Sequence, residues 1–224
     1  MSTSDTLTET REVSGFDRVA LTGFGELVIT QGEEESLTIE APQDILSRIE
    51  TEVKDGKLIM GISRSWLDWV GDVLTAGFTG KRVGYNVTVK QLTGLEILGA
   101  ACVKVANIKT DRLALELRGA ADVNIESLDA ERLDVDMPGA GKISVAGRVA
   151  EQTVTISGAG SYDAPRLESQ KAKATLKGLG SATVWAVEEL DVTIRGIGSV
   201  SYYGTPRVSK EITGPGSVKS LGNP

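Results

Sequence analysis

Asp134 and Asp136 stand two residues apart, and on an extended strand that spacing turns both carboxylates to one face. Paired carboxylates can act as general acid and as base or nucleophile in glycosidic chemistry. Asp111, Arg112 and Arg132 are the charged residues that would stand near such a pair. The competing reading is a solvated charged face. Little else in the chain offers chemistry. Histidine is absent from all 224 residues, which removes Ser–His and Cys–His arrangements and histidine-held metals. The single Cys102 can form neither an internal disulfide nor a thiolate cluster, and reads as a small residue at a strand start. No catalytic, cofactor-binding or metal-ligating residue is assigned, and no cofactor is expected. Within the repeats, aromatic platforms for a sugar ring are limited to Tyr162, Trp185, Tyr202 and Tyr203.

The elements that would position these residues come from an internal repeat, which must be read before any local motif. Its anchors are Gly99, Gly119, Gly139, Gly158, Gly178, Gly196 and Gly214, spaced 20, 20, 19, 20, 18 and 18 residues apart. Two residues before each anchor stand Ile97, Leu117, Met137, Ile156, Leu176, Ile194 and Ile212. Four residues after come Val103, Val123, Ile143, Tyr162, Ala182, Val200 and Val218. Period-two alternation on both sides of a fixed turn is a strand, a corner and a strand, each with one face buried. The residue two past each anchor is always Ala or Gly, which permits positive φ and lets the next copy approach closely. A third short apolar site follows at Ile108, Leu128, Val149, Leu167 and Val187.

Three short strands per coil of about 20 residues match the circumference of a parallel β-helix, with like residues stacked into one apolar core. The expected fold is therefore all-β, a single-stranded parallel β-helix or β-solenoid. A sandwich or barrel of hairpins is the alternative. Hairpins alternate direction, however, and nothing in them requires every second strand to repeat column by column. The outward columns are polar, and one reads Ser161, Ser181, Ser199 and Ser217 in succession. That run is either a hydroxyl ladder between coils or a flat polar strip for a partner.

Net charge is −7 and no Lys/Arg run exists, so nucleic acid and anionic membranes are poor partners. Residues 1–11 are polar and lack the apolar core of a signal peptide, and no stretch approaches a membrane span. As written the chain reads as cytoplasmic; a chain trimmed of its leader would read the same and be exported. The organisation expected is a flexible N-terminus at 1–11, an N-terminal β region with one repeat-like coil at 12–62, an aromatic insertion or cap at 63–84, and a seven-coil solenoid at 85–222. The repeat-like coil centres on Gly23 and Gly25, and Gly56 divides a hairpin-like pair of strands.

Residues 65–78 are the odd piece. Trp66, Trp69, Val70, Val73, Leu74 and Phe78 fall at helical spacing, with Ser65 as a candidate cap. They read as a short helix or lid plugging the solenoid, or as an exposed interface for a protein partner or a second copy; an interfacial membrane helix is the further alternative, and Asp68 and Asp72 argue against it. At the far end Pro215, Lys210 and Lys219 break the pattern, as residues that blunt an unpaired strand edge do, which weighs against a head-to-tail filament and leaves room for a dimer through a side face.

The chain resembles the auto-transporter adhesin head GIN domain family of bacteria over roughly residues 12–220. The resemblance lies in Val13-Ser-Gly-Phe16-Asp-Arg-Val19, in Gly23-Phe-Gly25 through Gly32, in Val53-Lys-Asp-Gly56-Lys-Leu58-Ile59 and in Val87 through Ala101. The phrases at 157–161, 177–181 and 195–199 complete it. It implies a right-handed β-helix-like fold and an exported or membrane-tethered protein. It carries no catalytic residue over. The leading function is a non-enzymatic binding or scaffold module, adhesin-like, with a protein or cell-surface polysaccharide as partner. A carbohydrate-active enzyme using Asp134 and Asp136 is the alternative, and self-assembly through residues 65–78 or the coil ends is the third reading.

Overall fold

The computed structural model describes residues 6–62 and 82–224. Nearly all of it is strand. The N-terminal part comprises β1 (Thr6–Arg11), β2 (Arg18–Leu21), β3 (Phe24–Gln31), β4 (Ser36–Pro42), the single-turn helix α1 (Gln43–Leu46), β5 (Ile49–Lys54), β6 (Lys57–Ile62), β7 (Gly84–Val89) and β8 (Gly94–Ile97). Then come five long strands that each wind round the axis: β9 (Ala100–Leu117), β10 (Ala120–Met137), β11 (Ala140–Ile156), β12 (Ala159–Leu176) and β13 (Leu179–Ile194). The chain finishes in β14 (Ile197–Tyr203), β15 (Arg207–Ile212) and β16 (Gly216–Ser220).

Successive coils pair in parallel and in register, so Ala100, Ala120, Ala140, Ala159, Leu179 and Ile197 stack, as do Val103, Val123, Ile143, Tyr162, Ala182 and Val200. This is a parallel β-solenoid of about six turns. Seven anchors bound six intervals, and the coil begun at Gly214 amounts to the one strand β16. Call the side after each anchor the first, the short middle stretch the second, and the side before the next anchor the third.

The corner between third and first sides explains the anchor glycines. Arg118 and Gly119 N–H both donate to the Ile97 carbonyl one coil below at 2.9 Å, and Ala120 N–H donates to the Gly99 carbonyl at 2.9 Å. The same pattern recurs at Lys177, Gly178 and Leu179 over Ile156 and Gly158. Every anchor from Gly99 to Gly214 sits so close over the carbonyl of the anchor before it that an added Cβ would come nearer than 3.0 Å. Close approach, not positive φ, is the reason for these glycines. In the small-residue column two positions on, only Gly25 and Gly141 have positive φ.

Side chains in the inward columns are almost fully buried from Leu95 and Ile97 up to Val192 and Ile194. The coil of β12 shows how the columns trade volume. Tyr162 fills the centre, and Ala164, Ala172 and Ala174 give it room. Its hydroxyl donates to Gln152 Oε1 at 2.9 Å, Gln152 Nε2 donates to Ser169 Oγ at 2.8 Å, and Ser169 donates to the Trp185 carbonyl at 2.7 Å. The buried polar groups thereby satisfy one another, and burial pushes the Tyr162 phenol far above its ordinary value.

The second side absorbs the changes in repeat length. Register shifts fall there, between Ile125 and Leu128, Ser144 and Ala146, and Asp163 and Glu168, and Gly147 stands there at φ 125°. Two sequence expectations fail on this side. Val149 does not stack with Leu128, whose partner is Gly147; it lies over Ala130 and under Ser169. Val187 is 40% exposed, and Ala186, opposite buried Ser169, takes the buried place because the register shifts between Asp163 and Glu168.

The coil at Gly23 lies directly beneath the one at Gly99, with Leu27 opposite Val103 and Leu21 opposite Ile97. Below it β7, β4 and β1 extend the first side, β4 being antiparallel to both neighbours, while β6 and antiparallel β5 extend the third. α1 crosses between them and buries Ile45 and Leu46 against the core. The expected loose N-terminus is thus a paired strand from Thr6, because β4 offers it an open edge.

Replacing Tyr162 with Phe removes the donor that Gln152 accepts from and leaves a buried amide oxygen unpaired. Denaturant unfolding should show a loss of about 1–3 kcal/mol.

Candidate functional site

Asp134 and Asp136 lie on the third side of β10, flanking inward Val135, and both project outward as the spacing requires. Their surroundings do not make an acid–base pair. Asp134 is held by Arg112 at 2.8 Å and Arg132 at 3.0 Å, and those arginines stack in adjacent coils. Asp111 lies away from this cluster, in a groove of the second side with Gln31, Lys90, Asp129 and Glu131.

The two arginines open a longer column, seven residues before each anchor: Arg112, Arg132, Glu151, Lys171, Glu189 and Arg207. Arg132 reaches Glu151 at 3.8 Å, Lys171 reaches Glu189 at 3.6 Å, and Arg207 reaches Glu189 at 2.6 Å. Asp136 belongs to another column, in which Glu96, Glu116 and Asp136 stack in successive coils. Three like charges about 4.8 Å apart would repel. Arg118 lies 2.7 Å from Glu116 and 3.7 Å from Glu96, and Lys57 lies 2.7 Å from Glu96. These ion pairs tie neighbouring coils together along the third side. Their period was legible in the sequence, seven and three residues before each anchor.

Of the aromatic platforms, Tyr162 is lost to the core, whereas Trp185, Tyr202 and Tyr203 are half-buried. Trp66, Trp69, Val70, Val73, Leu74 and Phe78 lie outside the described residues. A cleft of about 510 Å³ opens where β3, β7 and β9 begin, between Phe24, Glu26, Glu40, Arg82 and Cys102. Lys104 pairs with Glu26 at its mouth at 2.6 Å and holds that carboxyl below its ordinary value. Among the described residues no group of acidic, Cys or His side chains is placed to hold a metal ion.

The first side of the later coils is different. Ser161, Ser181, Ser199 and Ser217 stack in register and face outward, with Asp163, Thr183, Ser201 and Lys219 beside them. Among the described residues these serines form no side-chain hydrogen bonds with one another, so the expected ladder is a stack of hydroxyls left to solvent. At the corner next to them Leu179 is 55% exposed and Ile197 is 56% exposed. Sequence reasoning missed this pair, although the signal was there: the position after each anchor reads Ala four times and then changes to Leu and Ile. Together they form a flat hydroxyl strip with an apolar border. No helix among the described residues is long and apolar enough to cross a membrane.

Solved structures share this architecture. A putative adhesin from Bacteroides fragilis NCTC 9343 is 26% identical, with a TM-score of 0.86 over 97% of each chain. A putative adhesin and a putative lipid binding protein, both from Parabacteroides distasonis ATCC 8503, superpose with TM-scores of 0.67 and 0.68. Each match covers 98% of both chains, and identities of 18% and 21% mark a likeness of fold alone. No curated protein matches the sequence. The family described as "Putative auto-transporter adhesin, head GIN domain" matches residues 15–206, and the chain belongs to that family.

Proposed function

We propose that the chain is a non-enzymatic binding module acting at the cell surface, and that it holds its target along the outer first side of β12, β13 and β14. The observation that carries this reading is the strip itself. Its serine hydroxyls repeat about every 4.8 Å, remain unspent on one another, and border Leu179 and Ile197. Exposed apolar side chains beside polar groups mark interaction sites more often than bare surface. A regular row of hydroxyls beside apolar side chains suits an extended polymer that alternates hydroxyls with C–H faces, such as a surface polysaccharide.

Membership of an adhesin family supports binding over turnover. So does the engagement of Asp134 by two guanidinium groups, which take up both of its carboxylate oxygens. The family name and the like-named Bacteroides structure are the support for a surface location.

Immobilised cell-surface polysaccharides give the test. Leu179→Ser with Ile197→Ser should weaken binding about tenfold, as loss of an apolar anchor does, while Asp134→Asn with Asp136→Asn should leave it unchanged. Oligosaccharide release by the wild type that vanishes in the Asp134/Asp136 variant would establish the enzyme instead. Binding indifferent to Leu179 and Ile197 would remove the strip from consideration.

A further inference from the structure

The two ends of the solenoid are built from opposite charge. Residues 6–62 contain 12 Asp and Glu against 5 Lys and Arg, whereas residues 195–224 contain 4 Lys and Arg against the single acid Glu211. The whole chain carries −7, so its acidity is concentrated around β1 to β6, while the last turn is basic.

The ends also differ in how they finish the core. At the N-terminal end α1 buries Ile45 and Leu46. At the other end no such helix is present among the described residues, and the inward columns stop unfinished. Val208 lies over buried Leu190 and is 38% exposed; Ile212 lies over buried Ile194 and is 40% exposed. Between them Lys210 occupies the column that Val192 fills one coil earlier. Lys219 faces outward on β16. Neither lysine has an ion-pair partner among the described residues, whereas Arg207 and Arg195 are engaged by Glu189 and Glu211.

We propose that the C-terminal end of one copy docks on the acidic N-terminal end of a second copy, building a head-to-tail stack. Charge decides the orientation. Tail-to-tail contact would bring Lys210 and Lys219 against themselves, and head-to-head contact would oppose Glu50 and Glu52 with their own kind. Only the mixed contact pairs unlike charges, and desolvated like charges are costly.

Strand direction agrees on the first side; on the third, β5 runs against β6 and hence against β15, so those two edges would meet in the antiparallel sense. β4 is antiparallel to β7 and β1 is antiparallel to β4, so β1 runs the same way as β3, β9 and β16. β16 of one copy can therefore meet β1 of the next in the parallel sense used between coils, with half-exposed Leu7 in the inward column. Lys219 on β16 and Lys210 on β15, which blunt these edges against copies of themselves, favour the acidic end that carries Glu50 and Glu52. Such a contact is heterologous and does not close on itself, so it yields open stacks of rising length.

Sedimentation of the full chain over a range of concentrations tests this. At low salt the average mass should rise steadily with concentration. At about 1 M salt, where the screening length falls to about 3 Å, it should fall back towards the monomer. Lys210→Glu with Lys219→Glu should weaken association about tenfold or more, and so should Glu50→Lys with Glu52→Lys; mixing the two variants should restore it. These positions are exposed, and circular dichroism checks that both variants fold. A monomer at every concentration in low salt would overturn the proposal. So would association unchanged by charge reversal and abolished by Trp66→Ser with Trp69→Ser, and so would a mixture that stays monomeric.

Discussion

The structure depends on the contact at one corner, where the backbone of each coil rests on the backbone below it. The anchor carbonyl of one coil accepts the N–H that follows the next anchor, as Gly119 does from Ala140 at 2.9 Å and Gly158 from Leu179 at 2.9 Å. That bond brings the next anchor over the carbonyl at a distance that no Cβ tolerates. Buried backbone polar groups must be paired, and here the pairing itself forbids a side chain. The glycine period is therefore the mark of a hydrogen-bond ladder.

Once the corner is fixed, the alternation on either side follows. Inward positions stack into columns and outward positions into faces, and a change at one site is felt mainly by the coils above and below. This explains how coils can shorten from 20 residues to 18 on the second side without disturbing the core. The shifts around Gly147 and between Asp163 and Glu168 stay between two registered sides. It also explains why the outer faces can differ so much. Charged columns pair along the third side, hydroxyls line the first, and acidic and basic charge separate to opposite ends.

Much of this was legible from sequence because a solenoid writes its core as a period. The anchors, the columns at Ile97 and Val103, and the coil at Gly23 were all read from spacing. What escaped has a local cause. Val149 and Val187 were misplaced because spacing cannot see a bulge. Tyr162 was placed in an inward column by its spacing and is buried there, which rules out its other reading as a surface platform. The strand at Thr6–Arg11 has no strong pattern of its own and forms because β4 leaves an edge. Asp134 and Asp136 did share a face, but the arginines that engage Asp134 come from two coils. Leu179 and Ile197 stood in the sequence as a change in a column of alanines, a signal that matters only once that column is known to face outward.

The corner contact can be measured directly by denaturant unfolding of Gly139→Ala, which sets a methyl group against the Gly119 carbonyl and the Arg118 backbone. Gly139 does not have positive φ, and the lower entropy of an unfolded Ala chain favours the variant, so a net loss reports the stacking distance. A loss of about 3 kcal/mol or more is the result expected when closely packed backbones must move apart. Stability equal to or above that of the wild type would mean that the coils are not held at this corner.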